Sequence, residues 1–205
     1  MLNIMIIDEE KDFYIDPIDI KIEVLTKINK DNLVFNKKYR NDDVEKMKMP
    51  LFTPFLLEMI YNSDEIPSFI EFFNEYCDKN LENIESIILP LKLRLSKAYV
   101  SVIRELYIRC FLKKNGFNVK YNYDDDVNHD IDMWVEVNGE EIPVALFLKS
   151  EYSRVNREHK YLKRIPGLEY YDFEYENDDT NRNDCVYFPY EEDLYDLIKN
   201  LKNGN

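Results

Sequence analysis

Asp130-Ile131-Asp132 sets two carboxylates two residues apart, and in a strand that spacing turns both to one face. Two such acids can converge on Mg²⁺ or Mn²⁺, cations that take oxygen ligands. Lys149 closes the apolar run Val144-Ala145-Leu146-Phe147-Leu148. If the two runs pair as a hairpin through Asn138-Gly139, residues 145–147 lie opposite 130–132. Lys149 then reaches the same end of the sheet, where its ammonium could serve a metal-bound water. Glu105 is the one acid among residues 92–120, on the polar side of its helix with Ser101 and Arg109. Taken singly, each has a plainer explanation: acids at a strand start, a lysine at a solvent boundary, a glutamate neutralising Arg104 or Arg109.

The elements that would position these residues follow from periodicity. Tyr99, Val102, Ile103, Leu106, Cys110 and Phe111 share one face of a helix expected from Ser96 to Lys114, which Asn115-Gly116 ends. The period then changes to two. Strands are expected over Phe117 to Tyr123, Asp130 to Val137 and Glu141 to Lys149, the last two joined by the Asn-Gly turn. A polar helix over Ser150 to Arg164 stops at Ile165-Pro166-Gly167. Short strands over Leu168 to Tyr175 and Cys185 to Phe188 follow, then an amphipathic helix over Glu191 to Leu201. Upstream, residues 1–50 carry β-rich runs (Ile4 to Ile7, Ile18 to Leu25, Leu33 to Phe35). Helical periods follow over Leu51 to Tyr61, Pro67 to Cys77 and Leu81 to Ile88, with Pro67 in a first turn. The expected class is α/β with helices flanking a mixed sheet, divided into a β/helical N-terminal extension (1–95) and a core (96–205).

Charge is distributed in blocks. The 205 residues carry a net charge of −14, yet residues 92–120 hold eight basic side chains against Glu105 alone. Residues 121–148 hold eight acids and no Lys or Arg, and 149–164 hold six basic and two acidic residues. An acidic hairpin between two basic helices suits a cation held by carboxylates and phosphates held by Lys and Arg. The surplus acid lies in residues 51–91 and 165–205. No apolar run is long enough to span a membrane, and the start lacks the basic and apolar regions of a leader. Cys77, Cys110 and Cys185 are odd in number and far apart, as expected of reduced thiols in a cytoplasmic protein.

The runs Arg104-Glu105-Leu106, Phe111-Leu112-Lys113-Lys114-Asn115-Gly116-Phe117-Asn118-Val119, Asp130-Ile131-Asp132-Met133-Trp134-Val135 and Leu146-Phe147-Leu148-Lys149-Ser150 together resemble the PD-(D/E)XK superfamily. The likeness is to its restriction-endonuclease-like and Holliday-junction-resolvase-like members, and it covers about residues 96–165. It implies an αβββαβ core and a nuclease that uses Mg²⁺ or Mn²⁺ to cut nucleic acid. By the same resemblance Asp132, with Asp130 and Glu105, would hold the metal, and Lys149 would orient the attacking water. Arg154, Arg157, Lys160 and Lys163 would contact phosphates. The sequence departs from the family at Phe147, where a second strand acid is expected; Glu105, Glu136 or Asp130 would have to substitute. The competing expectation is a nuclease-fold protein without catalysis that binds a basic protein through its acidic surface, as an inhibitor or immunity-type protein does.

Overall fold

The computed structural model describes residues 14–28, 37–47, 52–149, 157–176 and 188–203. The chain is a mixed α/β protein that divides into two compact units. Among the described residues, one unit takes those between 18 and 104; the other takes 14–17, 105–176 and 188–203. The boundary falls inside one long helix. No described helix is long and apolar enough to cross a membrane.

The first unit is helical: α1 (Pro17–Ile28), α2 (Asp42–Lys46), α3 (Phe52–Ser63), α4 (Phe69–Asn80) and the opening of α5 (Ile88–Lys114). The β-rich reading of Ile18 to Leu25 is corrected here. Its apolar residues alternate, but Ile20 and Val24 are also four apart, and these two are buried while Ile18 and Ile22 stay exposed. A period-two pattern thus served a helix. The runs Ile4 to Ile7 and Leu33 to Phe35 lie outside the described residues. Pro67 is not in the first turn of α4, because Ser68 is its N-cap: the Ser68 hydroxyl accepts from the Glu71 N–H, and the Glu71 carboxylate accepts from the Ser68 N–H. Leu81 to Ile88 is not a helix either. Leu81 is extended, Asn83 is left-handed, and only a 3₁₀ turn (Glu85–Ile87) precedes α5. That helix starts at Ile88 and not Ser96, since Pro90 falls in its first turn, where no N–H is needed. Phe69, Phe72, Tyr76 and Tyr99 form the aromatic core of the unit, with Phe69 edge-on to Tyr99 at 5.7 Å.

The second unit is built on a four-stranded sheet in the order β1-β2-β3-β4. β1 (Asn118–Lys120), β2 (Met133–Val137) and β3 (Glu140–Leu148) are antiparallel neighbours, and β4 (Tyr171–Tyr175) runs parallel to β3. Asn138 and Gly139 both take positive φ, which closes the β2–β3 turn at the expected place. A helix absent from the sequence reading, α6 (Tyr123–His129), replaces the end of the first expected strand. Asn122 caps it by accepting from the Asp125 N–H, and three aspartates fill its first turn, where the helix dipole favours them. Residues 157–161 are helical and turn at 162 and 163; Ser150 to Asn156 lie outside the described residues. The closing helix α7 (Glu191–Asn203) buries Leu194, Leu197, Ile198 and Leu201.

Candidate functional site

Asp130 does not begin the strand. It is the C-cap of α6 in the left-handed conformation (φ 57°), and β2 starts three residues later. An aspartate tolerates that conformation because its short side chain bonds locally. The cap turns the chain inward, so Asp130 and Asp132 are both buried, at 4% and 6% exposure. The expected shared strand face is therefore produced by a helix cap followed by a strand entry. Trp134 and Glu136 do not extend it: Trp134 donates to Asp125, and the exposed Glu136 accepts from Asn118.

Asp132 sits where β2 and β3 first meet. Its N–H donates to the Val144 carbonyl, and its Oδ2 accepts from the Leu146 N–H at 2.6 Å. Met133 pairs with Val144, so the next position on β3 opposite Asp132 is Ala145, followed on the same face by Phe147. Neither offers oxygen. Burial pushes the Asp132 acid up to about 6; Asp126 and Asp130 add to this, while Lys160 and the Leu146 N–H oppose it.

The lysine beside these acids is Lys160. Its Nζ lies 3.0 Å from Asp130 Oδ1, and the charges of Asp132, Asp130 and Glu105 all act on it. Burial pulls the Lys160 ammonium down, but those acids together outweigh it and leave it above its ordinary range. Arg164 takes the other Asp130 oxygen with Nε and Nη2, each at 3.3 Å, and also bonds Asp172. Asp126, in α6, accepts from the Tyr121 hydroxyl at 2.9 Å. Burial raises its acid, and both Arg109 and Lys160 pull against that rise.

The sequence-derived residues thus separate. Asp130, Asp132, Glu105 and Lys160 come together. Lys149 does not: it is exposed beyond the end of β3, its N–H bonded to Tyr175 and its ammonium 3.5 Å from Glu176. Arg157 pairs with Glu174, Lys163 donates to the Val127 carbonyl, and Arg154 lies outside the described residues. Arg157, Lys160 and Arg164 also gather over the buried Phe147 ring at 4.5, 5.0 and 5.9 Å. Sequence reasoning missed Asp126, Tyr121, Arg109 and Arg164 as members of the cluster. Asn122 followed by Asp124-Asp125-Asp126 is a helix-start signature that could have placed Asp126.

Among the described residues no three His, Cys, Asp or Glu side chains are grouped to hold a metal ion. In kind, the donors suit a hard cation: the charges of several carboxylates meet at one ammonium, and burial raises two of those acids, Asp132 and Asp126, against the pull of Lys160. Were a cation bound, Asp132 with Asp126 or Glu105 would supply two carboxylates, the number on which Mg²⁺ often relies. No family model, curated protein or solved structure matches the chain.

Proposed function

We propose that the sheet-bearing unit is a divergent PD-(D/E)XK-like core that cuts phosphodiesters in nucleic acid, with Lys160 in the role the resemblance gave to Lys149. The observation that carries this reading is the buried strand-entry acid Asp132, raised to about 6, facing the same ammonium as Asp130 and Glu105. A buried, strongly shifted acid beside a charged partner is the kind of group that reaction centres use. A divalent cation bound there supplies Lewis-acid stabilisation and an acidified water. Asp132, with Asp126 or Glu105, would hold it. Asp130 fixes Lys160, and the ammonium is placed to meet the charge that grows on a phosphate oxygen.

The test is cleavage of single-stranded, duplex and branched DNA and of RNA with Mg²⁺, Mn²⁺ or EDTA. Asp132→Ala and Lys160→Ala should each lower cleavage by at least roughly a hundredfold, in line with the loss of an electrostatic contact to the transition state. Lys149→Ala should leave it within about twofold, because an exposed pair contributes little. Cleavage that survives both site variants refutes the assignment.

A second reading is favoured by Phe147, an apolar ring at the β3 position where a strand acid is expected, covered by three cations. Arg157 and Arg164 are answered by Glu174, Asp130 and Asp172, which leaves the acidic blocks to dominate recognition. In that case the chain binds a basic protein and cuts nothing. Absence of cleavage with every substrate, together with stoichiometric binding of a purified basic protein, would select it.

A further inference from the structure

Arg109 lies in the C-terminal half of α5 and is only 5% exposed, yet its Nε and Nη2 have no hydrogen-bond partner. These two nitrogens form one edge of the guanidinium, the edge that meets a phosphate or carboxylate with two parallel N–H···O bonds. Arg164 shows the ordinary use of that edge, with both nitrogens on Asp130 Oδ2. A charged donor edge buried without an acceptor is costly and calls for an explanation.

The surroundings narrow the acceptor. The Arg109 guanidinium lies 4.4 Å from the Tyr121 ring centroid, and the Tyr121 hydroxyl holds Asp126 at 2.9 Å. Asp126 is thereby committed to Tyr121. Asp130 is taken by Lys160 and Arg164, and Asp132 by the Leu146 N–H. No carboxylate accepts from Nε or Nη2 of Arg109, although its charge and that of Lys160 both act on Asp126. Tyr121, beside this guanidinium, and Asp126 are half-buried, while Arg109 itself is buried.

We propose that Arg109 is an oxyanion receptor for a phosphate group, its Nε and Nη2 gripping two oxygens of one phosphate on the Tyr121–Asp126 side of the acid–lysine cluster. This deepens the nucleic-acid reading and rests on it for the source of the phosphate, a backbone diester. Arg109 is a binding residue in this role, distinct from the acids and from Lys160.

The experiment follows the side-chain Nε–H resonance of Arg109 by ¹H–¹⁵N NMR in the full chain. The probes are inorganic phosphate and dimethyl phosphate, with acetate and chloride as controls at equal ionic strength and Mg²⁺ constant. Arg109→Lys removes the resonance and so assigns it. The expected result is a saturable shift with both phosphates and none with chloride, and phosphate affinity weaker by roughly tenfold in Arg109→Lys. Should that variant fail to fold by circular dichroism, Tyr121→Phe gives the second test. It releases Asp126 to compete for Arg109 and should weaken phosphate binding without touching the guanidinium. A resonance unmoved by phosphate, or moved equally by acetate or chloride, overturns the proposal. Because the readout is the guanidinium itself, the receptor can be established in a chain that cuts nothing, and cleavage can be found with Arg109 silent.

Discussion

Asp132 couples chemistry to stability. Its acid is held at about 6 against an ordinary 3.8, so the folded chain binds this proton more tightly than the unfolded chain does. Stability from this group is therefore full below pH 4 and falls as pH rises toward 6, after which it is level. Asp126, also raised, contributes with the same sign. Asp132→Asn keeps an oxygen for the Leu146 N–H and removes the titration. It should raise stability at pH 7 by on the order of 2 kcal/mol and flatten the slope between pH 4 and 7, measured by urea unfolding at several pH values. An unchanged slope would show that Asp132 titrates normally. The residue scale also explains why Lys149 was expected beside these acids while Lys160 stands there. Lys149 is three residues after Leu146, and it is natural to expect it near Asp132; Lys160 is fourteen residues beyond Leu146, in the helical residues 157–161, and meets Asp130 only through tertiary contact.

At the scale of elements, local signals were strong where the backbone itself is constrained. Asn138-Gly139 announced the β2–β3 turn, and Asn115-Gly116 the end of α5, because left-handed φ values favour those residues. Ser68 and Glu71 form the capping box of α4, a purely local device. Ser68→Ala should cost about 1 kcal/mol in thermal or urea unfolding, with Glu71→Ala giving part of the same loss; no loss in either would mean the cap is redundant. Where local pattern was ambiguous the reading failed. Ile18 to Leu25 fits both a strand and a helix, and packing of Ile20 and Val24 decided for α1. Asp124 to Asp126 lie past the expected strand end at Tyr123; the Asn122 cap and the dipole make them the first turn of α6, whose C-cap delivers Asp130.

At the scale of the whole molecule, −14 is a large charge for 205 residues and must act as self-repulsion at low ionic strength. The paired cations near the sheet reduce it locally: Lys160, Arg157 and Arg164 are each answered by a carboxylate. Screening should therefore help. Raising sodium chloride from about 0.01 to 0.5 M shortens the Debye length from roughly 30 Å to a few ångströms, and the thermal midpoint should rise by several degrees. A midpoint that falls with salt would mean that attractive pairs, not net repulsion, dominate the electrostatics. On the proposed function, the excess acid means that nucleic acid would have to be held by a few placed cations and a bound divalent cation, and not by a broad basic face.

The sequence by itself determined the class of the protein, the β2–β3 hairpin and the charge blocks, because turns, periodicity and composition are local properties of the chain. It also brought Asp130, Asp132 and Glu105 forward as acids that belong together. Only the tertiary structure decided which lysine meets them, that Asp126 and Tyr121 join them, and that Arg109 is buried with an open edge. Those facts depend on contacts between segments far apart in the chain and on the desolvation that burial brings, and neither is written in any single run of residues.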